Sequence, residues 1–171
     1  GLAYCAQEVL RTVEDMHEAA TGAVRKQQPT QEESGFETAR IAGYLHLTAE
    51  QLHAAAIPPG AQQIFSEVAG KLTELAASLE NAEAENKEVS SMESLERQLV
   101  VLEDQLFAAL QAFTPTEDSV ALREQSAREL APYRSRLQTA QIRQIEQQFL
   151  RRCLFQQNRI HRLSLFYMRQ T

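Results

Sequence analysis

Two apolar runs at helical spacing, over residues 61–82 and 92–113, constrain this chain more than anything else in it. The first sets Ala61, Ile64, Val68, Leu72, Leu75, Leu79 and Ala82 three or four residues apart, and the second does the same with Met92, Leu95, Leu99, Leu102, Leu106, Ala109 and Phe113. A seam of that period lies along one side of a helix and needs a facing helix to cover it. Only residues 83–91 separate the runs, so the nearest cover for each is the other, folded back antiparallel. The expectation is an all-α, elongated helical bundle built on a long antiparallel helical hairpin at 61–113, packed in coiled-coil fashion.

The flanks extend the same pattern. Residues 2–26 place Leu2, Ala6, Val9, Val13, Met16 and Ala20 on one stripe, predicting an N-terminal helix. A polar linker at 27–35 carries Pro29 and Gly35 as breakers. A short helix at 36–45 is followed by a second, for which Thr48 and Gln51 read as a capping box. Pro58-Pro59-Gly60 ends this corner. Ser90 with Glu93 reads as the cap of the second hairpin helix, and Thr114-Pro115-Thr116-Glu117 as the start of the next, which runs to Leu130 because Pro132 disfavours helix before it. A last helix opens between Arg134 and Thr139, with Ile142, Ile145, Phe149 and Cys153 on its apolar side. Beyond it, Leu163, Leu165 and Tyr167 alternate as in a strand, yet Phe166 fills the opposite side, so a buried terminal segment fits equally. The chain reads as one helical domain: a helix and small corner over 1–57, the hairpin over 61–113, and C-terminal helices with a basic end over 115–171.

Charge is divided sharply along the chain. Residues 1–133 hold 22 acidic and 9 basic side chains, a net of −13, whereas residues 134–171 hold eight arginines against Glu146 alone, a net of +7; together they give the formal −6. No apolar run approaches the roughly 18 residues that cross a bilayer. Gly1-Leu2-Ala3 has no charged stretch ahead of a long apolar one, unlike a secretory leader. Cys5 and Cys153 are the only cysteines, a number that fits reduced thiols in a cytosol better than a disulfide framework. The expectation is a cytoplasmic protein and, from the absence of an initial Met, a piece of a longer one.

Three patterns bear on function. Ile41, Ala42, Leu45, Leu47, Leu52 and Ala55 resemble, over residues 38–56, the helix-turn-helix of bacterial transcription regulators and sigma factors. His46 stands where that turn usually takes Gly, and the second helix offers Glu50, Gln51 and His53 with no Arg or Lys for phosphate. Glu14/His17 and Glu50/His53 repeat the Glu-x-x-His spacing of di-iron bundles, but their glutamates fall on the solvent side of each helix. The third pattern is the basic end: a helix continued to residue 162 would gather Arg151, Arg152, Arg159 and Arg162 within an arc of roughly 100°. Phe155, Phe166 and Tyr167 supply aromatic surface near them. No nucleophile–base pair, phosphate-binding Gly-rich loop or HExxH sequence occurs, so nothing points to catalysis, a cofactor or a metal.

Leu2-Ala3-Tyr4-Cys5 ahead of an amphipathic helix, and Arg162-Leu163-Ser164-Leu165-Phe166-Tyr167, resemble the C-terminal part of an uncharacterised family of bacterial helical proteins. That resemblance implies a bacterial intracellular origin and further chain before Gly1, and it implies no activity. The expected function is therefore a non-enzymatic protein-interaction or self-assembly module, with Arg151, Arg152, Arg159, Arg162, Phe166 and Tyr167 as the partner-binding residues and an acidic partner. Nucleic-acid binding through the same residues and the 38–56 corner is the alternative, and a di-iron bundle a distant third; no membrane or small-molecule substrate is implied.

Overall fold

The computed structural model describes residues 31–85 and 91–168. Among the described residues there are six α-helices and no strand: α1 (Gln31–Ala54), α2 (Gln62–Ala84), α3 (Met92–Phe113), α4 (Thr116–Leu130), α5 (Thr139–Gln157) and α6 (Leu165–Met168), with 3₁₀ turns at Pro59–Ala61 and Ala131–Tyr133. The all-α class is thus as the spacing predicts. The helix expected over residues 2–26, together with Cys5 and the Glu14/His17 pair, lies outside the described residues. No described helix is long and apolar enough to cross a membrane.

The described residues divide into two compact units, one of residues 117–152 and the other of residues 31–85, 91–116 and 153–168. In the second unit α1 is one unbroken helix through Gly35 and His46, which corrects the expected linker to residue 35 and the expected turn between 45 and 48. The reason is in the packing. Thr38, Ile41, Ala42, Leu45, Thr48, Ala49 and Leu52 are all buried, a single stripe at helical spacing that runs straight through the supposed turn. Thr48 does not cap a new helix; its hydroxyl donates to the Tyr44 carbonyl one turn back at 2.7 Å, which satisfies a buried polar group mid-helix. With the turn absent, the 38–56 segment lacks helix-turn-helix geometry.

Helix α2 packs against both α1 and α3, and its approach to α1 is the closest between any two elements of the unit. One seam cannot serve two neighbours. Alongside Val68, Leu72 and Leu79, the buried set includes Phe65, Ala69 and Ala76, whereas Ile64 and Leu75 of the expected seam are half-exposed. The alanines let backbones come near, as small residues at helix interfaces do. Toward α3, Lys71 Nζ donates to Gln105 Oε1 at 3.5 Å, and Gly60 lies so tightly on the Phe113 ring that a Cβ there would collide with it. Gly60, just ahead of α2, meets the last residue of α3, and Lys71, midway along α2, meets Gln105 farther back in α3, so the two run in opposite directions. Helix α3 likewise carries two buried lines: Leu95, Leu99, Leu102, Leu106 and Ala109 as expected, and also Glu103, Phe107 and Leu110.

Helix ends differ from expectation by small, explicable steps. Ser91, not Ser90, caps α3, its Oγ accepting from the Ser94 amide at 3.2 Å. Thr114 closes α3 instead of opening α4: its amide and hydroxyl both donate to the Leu110 carbonyl. Helix α5 stops at Gln157, five residues short of the residue 162 that the arginine arc would require. Arg159 turns into the left-handed region at φ 55°, the Ile160 amide donates to the Phe155 carbonyl at 2.8 Å and the Arg159 amide to Gln156 at 3.1 Å. This is a Schellman closure with Ile160 and Phe155 buried together as its apolar clasp. The usual residue at that position is Gly, because a Cβ costs about 1–2 kcal/mol there. Arg159→Gly is therefore expected to raise unfolding stability by about 0.5–1 kcal/mol after Gly's extra unfolded-state entropy is subtracted, measured by urea denaturation.

In the first unit, α4 buries Leu122, Ser126 and Leu130 at four-residue spacing, and α5 buries Leu150. Ser126 Oγ has no hydrogen-bond partner among the described residues. The Gln138 amide donates to the Gln141 side chain at 2.9 Å at the start of α5, and Arg134 pairs loosely with Glu146 at 3.7 Å.

Candidate functional site

Arg151, Arg152, Arg159 and Arg162 do not share one helical arc, because the helix does not continue to residue 162. The α5 stop at Gln157 places Arg151 and Arg152 in the first unit and Arg159, Arg162, Phe166 and Tyr167 in the second. Arg151 and Arg152 already interact within the chain. The other four belong to a segment, residues 159–168, that leaves α5, runs without helix to Ser164 and closes with the single turn α6.

That segment is held on α1 and α3 by its backbone. Leu163 and Leu165 are buried, with Ser164 half-exposed between them and Phe166 outward, so the alternation seen in the sequence is that of a docked extended stretch. Amides two residues apart in extended chain point the same way. Two carboxylates of α3, two helical turns apart on one side of the helix, meet them. Glu103 Oε2 accepts from the Leu163 amide at 2.8 Å, and Glu96 Oε2 from the Leu165 amide at 2.9 Å. Glu103 also takes the Arg162 Nε–H, at 3.1 Å to Oε1, and Glu96 takes the Ser164 hydroxyl. From α1, Tyr44 Oη donates to the Arg162 carbonyl at 3.2 Å and accepts from the Ser164 amide at 3.4 Å.

Glu103 is only 3% exposed, and a carboxylate so buried requires partners; the Arg162 guanidinium and the Leu163 amide supply them. Burial works against the Arg162 charge, but hydrogen bonding to Glu103 and its attraction outweigh this and hold the pKa above the ordinary guanidinium value. Burial also pushes the Tyr44 phenol up; its hydrogen bonds to Ser164 and Thr48 oppose the rise, and the negative charges of Glu96 and Glu103 add to it. A raised acid pKa means that the unfolded chain sheds the proton first. The stability contributed by neutral Tyr44 is then complete below the ordinary value of 10.0 and is lost as pH climbs from there toward the folded-state value. Denaturation curves collected across that range should show the alkaline loss shrinking in Tyr44→Phe.

The segment's outer side is aromatic. Phe166 is 73% and Tyr167 40% exposed, their rings edge to face with centroids 6.3 Å apart, and Arg162 lies 5.7 Å from the Tyr167 ring centre. Beside Phe166 opens a hollow of about 380 Å³ with Met92, Leu165 and Met168 as its apolar wall and Glu37, Glu93 and Glu96 on its rim. A second groove of about 490 Å³, between α2 and α3, is lined by Lys71, Glu74, Leu75, Arg97, Val101 and Gln105 among others. Neither brings a nucleophile and a base together. Glu50 and His53 are both exposed on α1, and no group of three or more metal-ligating side chains occurs among the described residues.

Sequence reasoning missed Glu96, Glu103 and Tyr44. Both glutamates directly follow the Leu95 and Leu102 seam positions, where a charged residue ordinarily faces solvent. The available signal was their own spacing of seven, which keeps them on one side of α3, together with the alternating Leu163 and Leu165 that require a surface to dock on. Comparison of the chain with protein-family profiles, curated proteins and solved structures returns no match.

Proposed function

We propose that the chain is a non-enzymatic interaction module whose contact surface is the exposed side of residues 159–168, with Phe166 as anchor. The observation that carries this is Phe166 itself: a phenyl ring 73% exposed directly after the Leu165 amide, which is fixed to Glu96 of α3, with its own amide donating to the Ser164 hydroxyl. A pre-positioned aromatic loses little entropy on binding, and aromatic residues dominate the energetics of protein interfaces. The surroundings favour a protein partner over nucleic acid. The Arg162 charge is already paired with Glu103, and the rim of Glu37, Glu93 and Glu96 beside Phe166 repels phosphate. The chemistry that fits is an apolar side chain flanked by basic ones, which revises the acidic partner expected from the arginine count.

The test is fluorescence anisotropy with three labelled probes: a peptide of apolar and basic residues, its counterpart with acidic residues, and a single-stranded oligonucleotide. Binding of the basic peptide, weakened roughly thirtyfold or more by Phe166→Ala as for an interface hot spot, supports the reading. Binding of the oligonucleotide alone, or of no probe, overturns it.

A further inference from the structure

The groove over α1 and α3 that Tyr44, Glu96 and Glu103 form is a reader of extended chain. Its contacts are chiefly to backbone amides and a backbone carbonyl, with buried places for two alternate apolar side chains, Leu163 and Leu165. Recognition of this kind does not depend on which molecule donates the segment. The only covalent path from α5 into the seated segment passes through Arg159, and that residue is held in the left-handed region without being Gly. From Gln156 to Arg162 the sequence contains no Gly or Pro, so no residue there bars a helix outright, and the stop rests on the closure at Arg159 and the burial of Phe155 and Ile160. Continuation removes the Arg159 strain and carries residues 160–168 away from their own groove.

We infer that two copies of this chain exchange residues 160–168, each seating the segment in the Tyr44/Glu96/Glu103 groove of the other, with Arg159 as the hinge. Exchange reproduces every groove contact of the closed form, so the balance is set by concentration and by the hinge. This goes beyond the Phe166 surface proposed above and stands or falls separately from it, because the anisotropy test reads a different side of the segment.

Light scattering on the purified chain from low to high micromolar concentration should show a dimer that returns to monomer on dilution. In Arg159→Gly the closed hinge is no longer strained, and dimerisation should weaken at least about tenfold. This variant keeps the groove and segment intact, so misfolding does not confuse the result. A mixing experiment completes the test. One chain carries Glu96→Gln and Glu103→Gln, the other Leu163→Ser and Leu165→Ser. Native mass spectrometry should show a one-to-one heterodimer in the mixture, holding one intact groove and one intact segment, and monomers when each is alone. A monomer at every concentration overturns the proposal. So does a dimer that Arg159→Gly leaves unchanged, or one that each double variant forms alone, since that dimer uses another surface.

Discussion

Glu103→Ala is expected to lower the unfolding free energy of the unit that holds it by about 2–4 kcal/mol, seen as a shift of its urea midpoint with little change in slope. The size follows from what the carboxylate leaves behind. The Leu163 amide, buried and now without its acceptor, contributes about 1–3 kcal/mol of lost desolvation compensation. The Arg162 side chain, half-exposed, recovers part of its loss by turning to water, so the full penalty of a broken buried pair does not apply. Glu103→Gln should be milder, about 1–2 kcal/mol, because an amide oxygen still accepts from Leu163 while the charge attraction is gone. Equal effects from Ala and Gln would mean that the charge, not the backbone contact, carries the interaction. No effect from either would mean that the segment is not held by Glu103 at all.

On α2, Leu72→Ala should cost about 2–5 kcal/mol, since Leu72 is fully buried and truncation leaves both lost transfer energy and a cavity. The more discriminating partner to that experiment is Ala76→Leu. Ala76 is also fully buried, on the line that allows α1 to lie close. Adding three carbons there forces the helices apart, at about 1–3 kcal/mol. On the seam expected over 61–82 Ala76 sits at the flank, where Leu would be tolerated or mildly stabilising in a helix. On the observed face it lies between the buried Leu72 and Leu79, so the sign of that one change reports which face of α2 is packed.

The helical class was legible because leucines at three- and four-residue spacing have few other readings. What was lost is instructive in each case. Helix α1 runs straight through His46, and the capping signal at Thr48 and Gln51 proved weaker than the burial of Leu45, Thr48 and Ala49 on one side. The packed face of α2 is turned from the expected seam toward Phe65, Ala69 and Ala76, which escaped notice because alanines are weak signals in a hydrophobic pattern. For the site, the docking of Leu163 and Leu165 was one of two readings of their alternation. The carboxylates that receive them were hidden, since a glutamate next to a leucine seam is ordinarily a solvated flank. The stop at Gln157 was illegible for a different reason. Arg159 gives no glycine signal, and the closure is imposed by tertiary burial of Phe155 and Ile160, not by local preference.

Hydrogen exchange at the Leu163 and Leu165 amides, followed by NMR on the intact chain and on Glu96→Gln with Glu103→Gln, is the most direct test of the docked segment. In the unaltered chain both amides should exchange on the order of a hundredfold or more slower than free peptide, and the double variant should bring them close to it while α2 stays protected. Exchange at free-peptide rates in the unaltered chain would mean that residues 159–168 are not anchored, and would contradict the reading of Phe166 as a fixed contact surface.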